Sequence, residues 1–123
     1  MASRPKYLNL LQIRMPLPAI VSIMHRVSGA VLFLALPLML WWLQQSLTSG
    51  RTFAEFQTLF SNSLVKLVMV GLLWGYLHHL CAGIRHVVMD LDYGLELKTV
   101  RLTGTLVLAV SITLTAIIGA LLW

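Results

Sequence analysis

The sequence predicts an all-α membrane protein with three transmembrane helices. Of its 123 residues, 59% are hydrophobic and only 11% are charged, a balance far from that of soluble domains. Three long stretches contain no charged residue, at 27–50, 67–84 and 102–123. Each is about long enough to cross roughly 30 Å of hydrocarbon as a helix, and an isolated helix satisfies its own backbone hydrogen bonds in lipid.

The three spans are predicted near residues 27–47, 64–89 and 102–122 of one domain that covers residues 1–123. An arm over residues 1–21 precedes them. The first span is too long for a cleaved signal peptide and its far end has no small-x-small cleavage site, so we expect it to remain in the mature protein. Pro37 is expected to kink this span, a defect that membrane helices tolerate where neighbours take up the freed carbonyl.

Between the first two spans, Phe53, Phe56 and Phe60 recur at helical spacing. This pattern predicts a short amphipathic helix that lies along the membrane interface.

Basic residues are distributed unevenly between the two sides of the predicted spans. Seven lie on the side of the amino terminus and two on the opposite side, so the positive-inside rule predicts a cytoplasmic amino terminus and a periplasmic carboxyl terminus. The seven are Arg4, Lys6, Arg14, Arg26, Arg85, Lys98 and Arg101, and the two are Arg51 and Lys66.

The second span carries polar residues that are costly at membrane depth, by about 2.5 kcal/mol or more for a charge. On a helix, His79 and His86 share one stripe, while His78 and Arg85 share a second stripe about 100° round. An imidazole at such depth has three uses, which are metal ligation, proton relay and hydrogen bonding to another helix. The spacing alone does not choose between these uses, or between His78 and His79.

A second polar group, Ser22, His25 and Arg26, stands at the start of the first span. If a helix already runs from Ser22, the i, i+3 and i, i+4 spacings bring these side chains together. They would then lie at the membrane level of His86, because the first two spans are antiparallel. An ordinary reading is also available, in which Arg26 snorkels to the headgroups and Ser22 caps the helix.

Three segments combine into a recognisable pattern that extends over essentially the whole chain. Through them the chain resembles the cytochrome b subunit of succinate dehydrogenase, a membrane anchor of bacterial respiratory complex II; the third span matches by hydropathy alone. The segments are Arg4-Pro-Lys-Tyr-Leu-Asn-Leu10, Ser22-Ile-Met-His-Arg-Val-Ser-Gly29, and His79-Leu-Cys-Ala-Gly-Ile-Arg-His86 followed by Asp90.

The resemblance implies a site for one b-type haem, held between this chain and a second small membrane subunit. It assigns His79 as the axial ligand of the haem iron and His25 to the haem propionates. Ser22 and Arg26 are assigned to the pocket for ubiquinone, the substrate. Arg85 and His86 are expected to add polar groups around this site.

The resemblance also implies a flavoprotein subunit and an iron–sulfur subunit as partners, and a location in the bacterial inner membrane. The chain has one cysteine and no flavin motif, so we expect it to be non-catalytic alone. Its net charge of +5 forms no basic stripe with interleaved aromatics, so nucleic acid is not an expected partner. The alternatives are a fumarate reductase anchor, another quinone oxidoreductase subunit, or a haem-free structural membrane subunit.

Overall fold

The computed structural model describes residues 14–123, and that part of the chain forms four helices. Arg4, Lys6 and most of the predicted arm lie outside the described residues. The helices are α1 (Leu17–Thr48), α2 (Gly50–Ser61), α3 (Ser63–Asp90) and α4 (Leu97–Leu122).

Three of these helices, α1, α3 and α4, are long and apolar enough to cross a membrane. With 32, 28 and 26 residues they extend to about 48, 42 and 39 Å, more than the roughly 30 Å of a hydrocarbon core. The predicted all-α fold with three apolar spans is therefore confirmed.

The first helix begins at Leu17, upstream of the predicted span, so residues 17–21 at the end of the predicted arm are helical. Two prolines explain the early start. Pro16 occupies the N-cap position with extended backbone, and Pro18 falls in the first turn, where its missing N–H leaves no hydrogen bond unmade. The helix then continues through Pro37 to Thr48.

The predicted short helix between the first two spans is present as α2. Ser49 caps it reciprocally with Thr52: the Thr52 N–H donates to Ser49 Oγ at 3.2 Å and the Ser49 N–H donates to Thr52 Oγ1 at 3.1 Å. Phe60 packs edge-on against Trp42 of α1, with ring centroids 5.3 Å apart. This contact packs the carboxyl end of α2 against α1.

The three long helices meet around a small apolar core. Val21 of α1, Ala82 of α3 and Val107 of α4 are all buried and contact one another as one cluster. At the other end of the bundle, Lys66 Nζ donates to the Trp123 carbonyl at 3.0 Å and lies 5.2 Å from the centroid of its ring. Successive long helices are therefore antiparallel.

Most of the large apolar side chains lie outside this core. Phe33, Leu34 and Leu121 are 74%, 75% and 80% exposed, and Val21 is the one buried residue of α1. Such a surface suits contact with lipid or with other apolar helices, not with water.

Candidate functional site

The site forms where α1 crosses α3, and three imidazoles meet there. His25 of α1 stacks on His79 of α3, with ring centroids 4.2 Å apart and ring planes 13° apart. His86, two turns further along α3, lies 5.1 Å from His25 between ring centroids. Three of the histidines singled out in the sequence are thus brought together by two helices.

The imidazoles lie at different depths along the helices. His79 precedes the Asp90 end of α3 by 11 residues, or about 16 Å, and His86 precedes it by about 6 Å. The cluster therefore leads from the end of the bundle toward its middle.

The hydrogen bonds of His79 define which ring nitrogen carries the proton. Its Nδ1 lies 3.0 Å from the backbone carbonyl of His25 and 3.3 Å from Ser28 Oγ. A carbonyl only accepts, and the Ser28 hydroxyl donates its own proton to the same carbonyl at 2.9 Å, so Nδ1 must be the donor to His25. Nε2 then carries the lone pair, and it makes no hydrogen bond with any residue of 14–123.

His78 is in a different environment. It is 1% exposed and lies beside Trp74, with 5.6 Å between ring centroids. A planar macrocycle could not reach this ring without separating the helices. His79, by contrast, is partly exposed.

Arg85 lies on the His78 side of α3 and binds α4. Its Nε donates to Thr103 Oγ1 at 3.0 Å and one terminal nitrogen donates to the Val100 carbonyl at 3.3 Å. Of the two polar residues expected around the site, His86 contacts the imidazole cluster, whereas the hydrogen bonds of Arg85 join α3 to α4. The rotation of about 100° between adjacent helix positions explains this separation.

Ser22 and Arg26 lie in the early part of α1, five and nine residues after Leu17, or about 8 and 14 Å along it. The helix includes both residues, so the condition that it already runs from Ser22 is met. Their i, i+4 spacing therefore places them on one face. Ser22 is half-buried and Arg26 exposed, and neither side chain makes a hydrogen bond within residues 14–123.

The residues present fit one axial position of a haem. A ligating imidazole has a free lone pair on one nitrogen and commonly donates its other N–H to a carbonyl, and His79 meets both conditions. Among residues 14–123, no three His, Cys, Asp or Glu side chains converge to hold a metal ion by themselves.

Ser28 and Gly29 contact His79 but had no role assigned from the sequence, although both belong to the Ser22–Gly29 motif. Their signal was present: they follow His25 by three and four residues, so they share its helix face. The sequence did not show which residue of α3 lies against this face of α1.

These features define a helical membrane protein with a cluster of histidines where two of its helices cross. The chain belongs to the succinate dehydrogenase/fumarate reductase transmembrane subunit family, whose model matches residues 2–118.

Several relatives are named succinate dehydrogenase cytochrome b556 subunit. The chain is 38% identical to that of Coxiella burnetii, over 99% of this chain and 98% of the relative. It is 35% identical to that of Paracoccus denitrificans, over 91% and 86%, and 33% identical to that of Rickettsia felis, over 94% and 90%.

The comparisons confirm three predictions. The resemblance to the cytochrome b subunit family is correct, and the chain is a non-catalytic membrane subunit of the enzyme complex. The family and the three apolar helices also confirm the location, a multi-pass protein of the bacterial inner membrane. The name cytochrome b implies haem b in those relatives.

Proposed function

We propose that this chain is the membrane anchor of a succinate:ubiquinone oxidoreductase, in which His79 ligates one b-type haem shared with a second small membrane subunit. The observation that carries the proposal is the His79 imidazole, which is held through Nδ1 by the backbone of α1 and keeps its Nε2 lone pair for a ligand. Bound there, a b-type haem supplies one-electron redox chemistry.

The other residues of the site act on charge near the end of the bundle. His25, stacked on His79, is suited to hydrogen-bond a haem propionate, and His86 beside it adds a second imidazole. His86 lies about 6 Å from the end of α3, which is close to the headgroup level. This location favours contact between the His86 imidazole and a carboxylate there, because a carboxylate inside the hydrocarbon would be costly.

Ser22 and Arg26 are proposed to form part of the ubiquinone pocket. The Ser22 hydroxyl would donate to a quinone carbonyl, and the Arg26 guanidinium would stabilise the negative charge that develops as the quinone is reduced. Their shared face near the start of α1 supports this role. The electrons come from the oxidation of succinate to fumarate by a flavoprotein subunit, through an iron–sulfur subunit.

The direction of succinate oxidation is favoured by the relatives, which are named as succinate dehydrogenase subunits. We further propose that α1 begins on the cytoplasmic side, where the other two subunits would dock. This orientation is supported within the described residues by Arg14, Arg26, Arg85, Lys98 and Arg101 at that end, against Arg51 and Lys66 at the other.

The ligand assignment is tested by replacing His79 with Ala in the purified complex. We expect loss of the b-type absorbance bands of the reduced protein, because the iron loses its nitrogen ligand from this chain. His78→Ala should leave the bands in place.

Because His78→Ala opens a cavity, His78→Leu serves as a second control that keeps the core filled. If the bands survive His79→Ala, the ligand assignment is wrong. If both changes at position 78 remove the bands while His79→Ala retains them, the ligand is His78.

A further inference from the structure

The contact between α1 and the His79 ring depends on the absence of a side chain at Gly29. A Cβ at this position would lie 2.8 Å from His79 Cε1 and 3.3 Å from Nδ1. The first distance is shorter than a carbon–carbon contact allows. The ring therefore lies directly against the α1 backbone, in space that alanine would already fill.

The His79 ring cannot move away from position 29 freely, because it also makes a hydrogen bond to the backbone of α1. His79 Nδ1 bonds the His25 carbonyl at 3.0 Å, one turn before Gly29, and Ser28 Oγ lies 3.3 Å from the same nitrogen. Moving the ring away from a Cβ at position 29 would lengthen both contacts. Gly29 therefore sets the distance of approach, and Ser28 with the His25 carbonyl sets the direction of the ring.

The Ser28 hydroxyl has a further effect on the tautomer of His79. Because this hydroxyl donates its proton to the His25 carbonyl at 2.9 Å, it can act only as an acceptor toward His79 Nδ1, which lies 3.3 Å from Ser28 Oγ. Two acceptors thus surround Nδ1, which keeps the proton on that nitrogen and leaves Nε2 as the ligating atom.

We infer that Gly29 and Ser28 are positioning residues for His79: Gly29 admits the imidazole against α1, and Ser28 together with the His25 carbonyl fixes its tautomer and orientation. The inference rests on the proposed function, since it concerns how His79 is presented to a haem. Neither residue needs to touch the haem.

The test compares Gly29→Ala with Gly75→Ala in the complete complex. Gly75 lies on α3, one turn before His79, and a Cβ there would meet nothing within 4 Å. Haem per assembled complex is measured from absorbance, and the haem midpoint potential by redox titration. Loss of an outer contact to a metal-ligating histidine typically weakens metal binding about 10- to 100-fold. We expect Gly29→Ala to weaken haem binding by a factor of this order and Gly75→Ala to leave haem binding unchanged.

Ser28 is tested by a pair of changes that add no steric conflict of the same kind. Ser28→Ala removes the hydroxyl and should weaken haem retention by up to about tenfold, with a shifted midpoint potential, because the Nδ1–H loses one acceptor. Ser28→Thr keeps a hydroxyl that can bond the preceding turn, and should restore both values.

The outcomes separate this inference from the proposed function. If His79→Ala removes the haem while Gly29→Ala and Ser28→Ala leave its amount and potential unchanged, the positioning role is wrong and the ligand assignment stands. If Gly29→Ala and Gly75→Ala lose haem equally, or Ser28→Thr behaves like Ser28→Ala, the effect is a general one on the helices and the inference is overturned. Retention of the other subunits during purification verifies assembly.

Discussion

Ser22 and Arg26 are the side chains through which α1 is expected to meet the quinone, and each can be removed singly. Ser22→Ala or Arg26→Ala should lower the rate of ubiquinone reduction, because the pocket loses a donor to the quinone carbonyl or the charge that stabilises its reduced form. Loss of one donor in a preorganised dry site costs on the order of a hundredfold in rate, and a pocket at the interface should show less. Succinate-dependent quinone reduction in the purified complex measures the effect.

The control for these variants is succinate oxidation with an artificial acceptor that takes electrons upstream of the quinone. That activity should survive, since it belongs to other subunits. A parallel fall of both activities would mean that the two side chains serve assembly, by capping and snorkelling. If neither activity falls, the quinone binds elsewhere.

The assignment of individual side chains is where sequence reasoning was least complete. His78 and His79 are neighbours, and hydropathy treats them alike. Their environments differ because the helix turns about 100° between them, which buries one ring in the three-helix core and leaves the other at the α1 crossing. The packing partners of a helix determine which of its faces is buried, and the sequence of a single span does not show that face.

Among the helices, the α3–α4 pair depends on a polar contact inside an apolar bundle. Thr103→Val should lower the free energy of unfolding by about 1–3 kcal/mol, because Arg85 Nε loses its acceptor and remains buried. Thermal denaturation of the purified complex in detergent measures the change.

Thr105→Val is the matched control for this prediction. Thr105 is exposed on the same helix, and its hydroxyl bonds only the Arg101 carbonyl within the described chain, so stability should change little. Equal losses from the two substitutions would show that the Arg85 contact adds nothing beyond helix propensity.

The helices themselves were largely predictable, and the exceptions have local causes. Charge-free runs identify the long helices, and the Phe53, Phe56 and Phe60 spacing identifies α2. The start of α1 lies upstream of the predicted span because charge marks where lipid ends, not where a helix begins. Pro16 and Pro18 start the helix earlier by backbone geometry, which adds the turns that carry Ser22 and His25.

For the molecule as a whole, the uneven distribution of basic residues makes a prediction about orientation. A reporter fused after Trp123 should be periplasmic, and one inserted within residues 91–99 should be cytoplasmic, because positive residues are retained on the cytoplasmic side. Paired reporters that are active on opposite sides of the membrane measure this. The reverse pattern would overturn the orientation and, with it, the docking side proposed for the soluble subunits.

The arrangement of the bundle was only partly predictable from the chain. Short connections and alternating spans require antiparallel neighbours, so His25 and His86 were expected at one level, and the structure brings their rings to 5.1 Å. The close approach at Gly29 was not foreseen. It depends on where two helices cross, which is determined by many small packing contacts and not by any one periodic pattern.

The buried Arg85 also has a consequence for the order in which the helices assemble. Its acceptors, Val100 and Thr103, both belong to α4, so these hydrogen bonds form only when α4 packs against α3. Until then the guanidinium must remain near water or headgroups, which it can reach because Arg85 lies about 8 Å from the end of α3. We therefore expect α3 to reach its final depth only once α4 lies beside it.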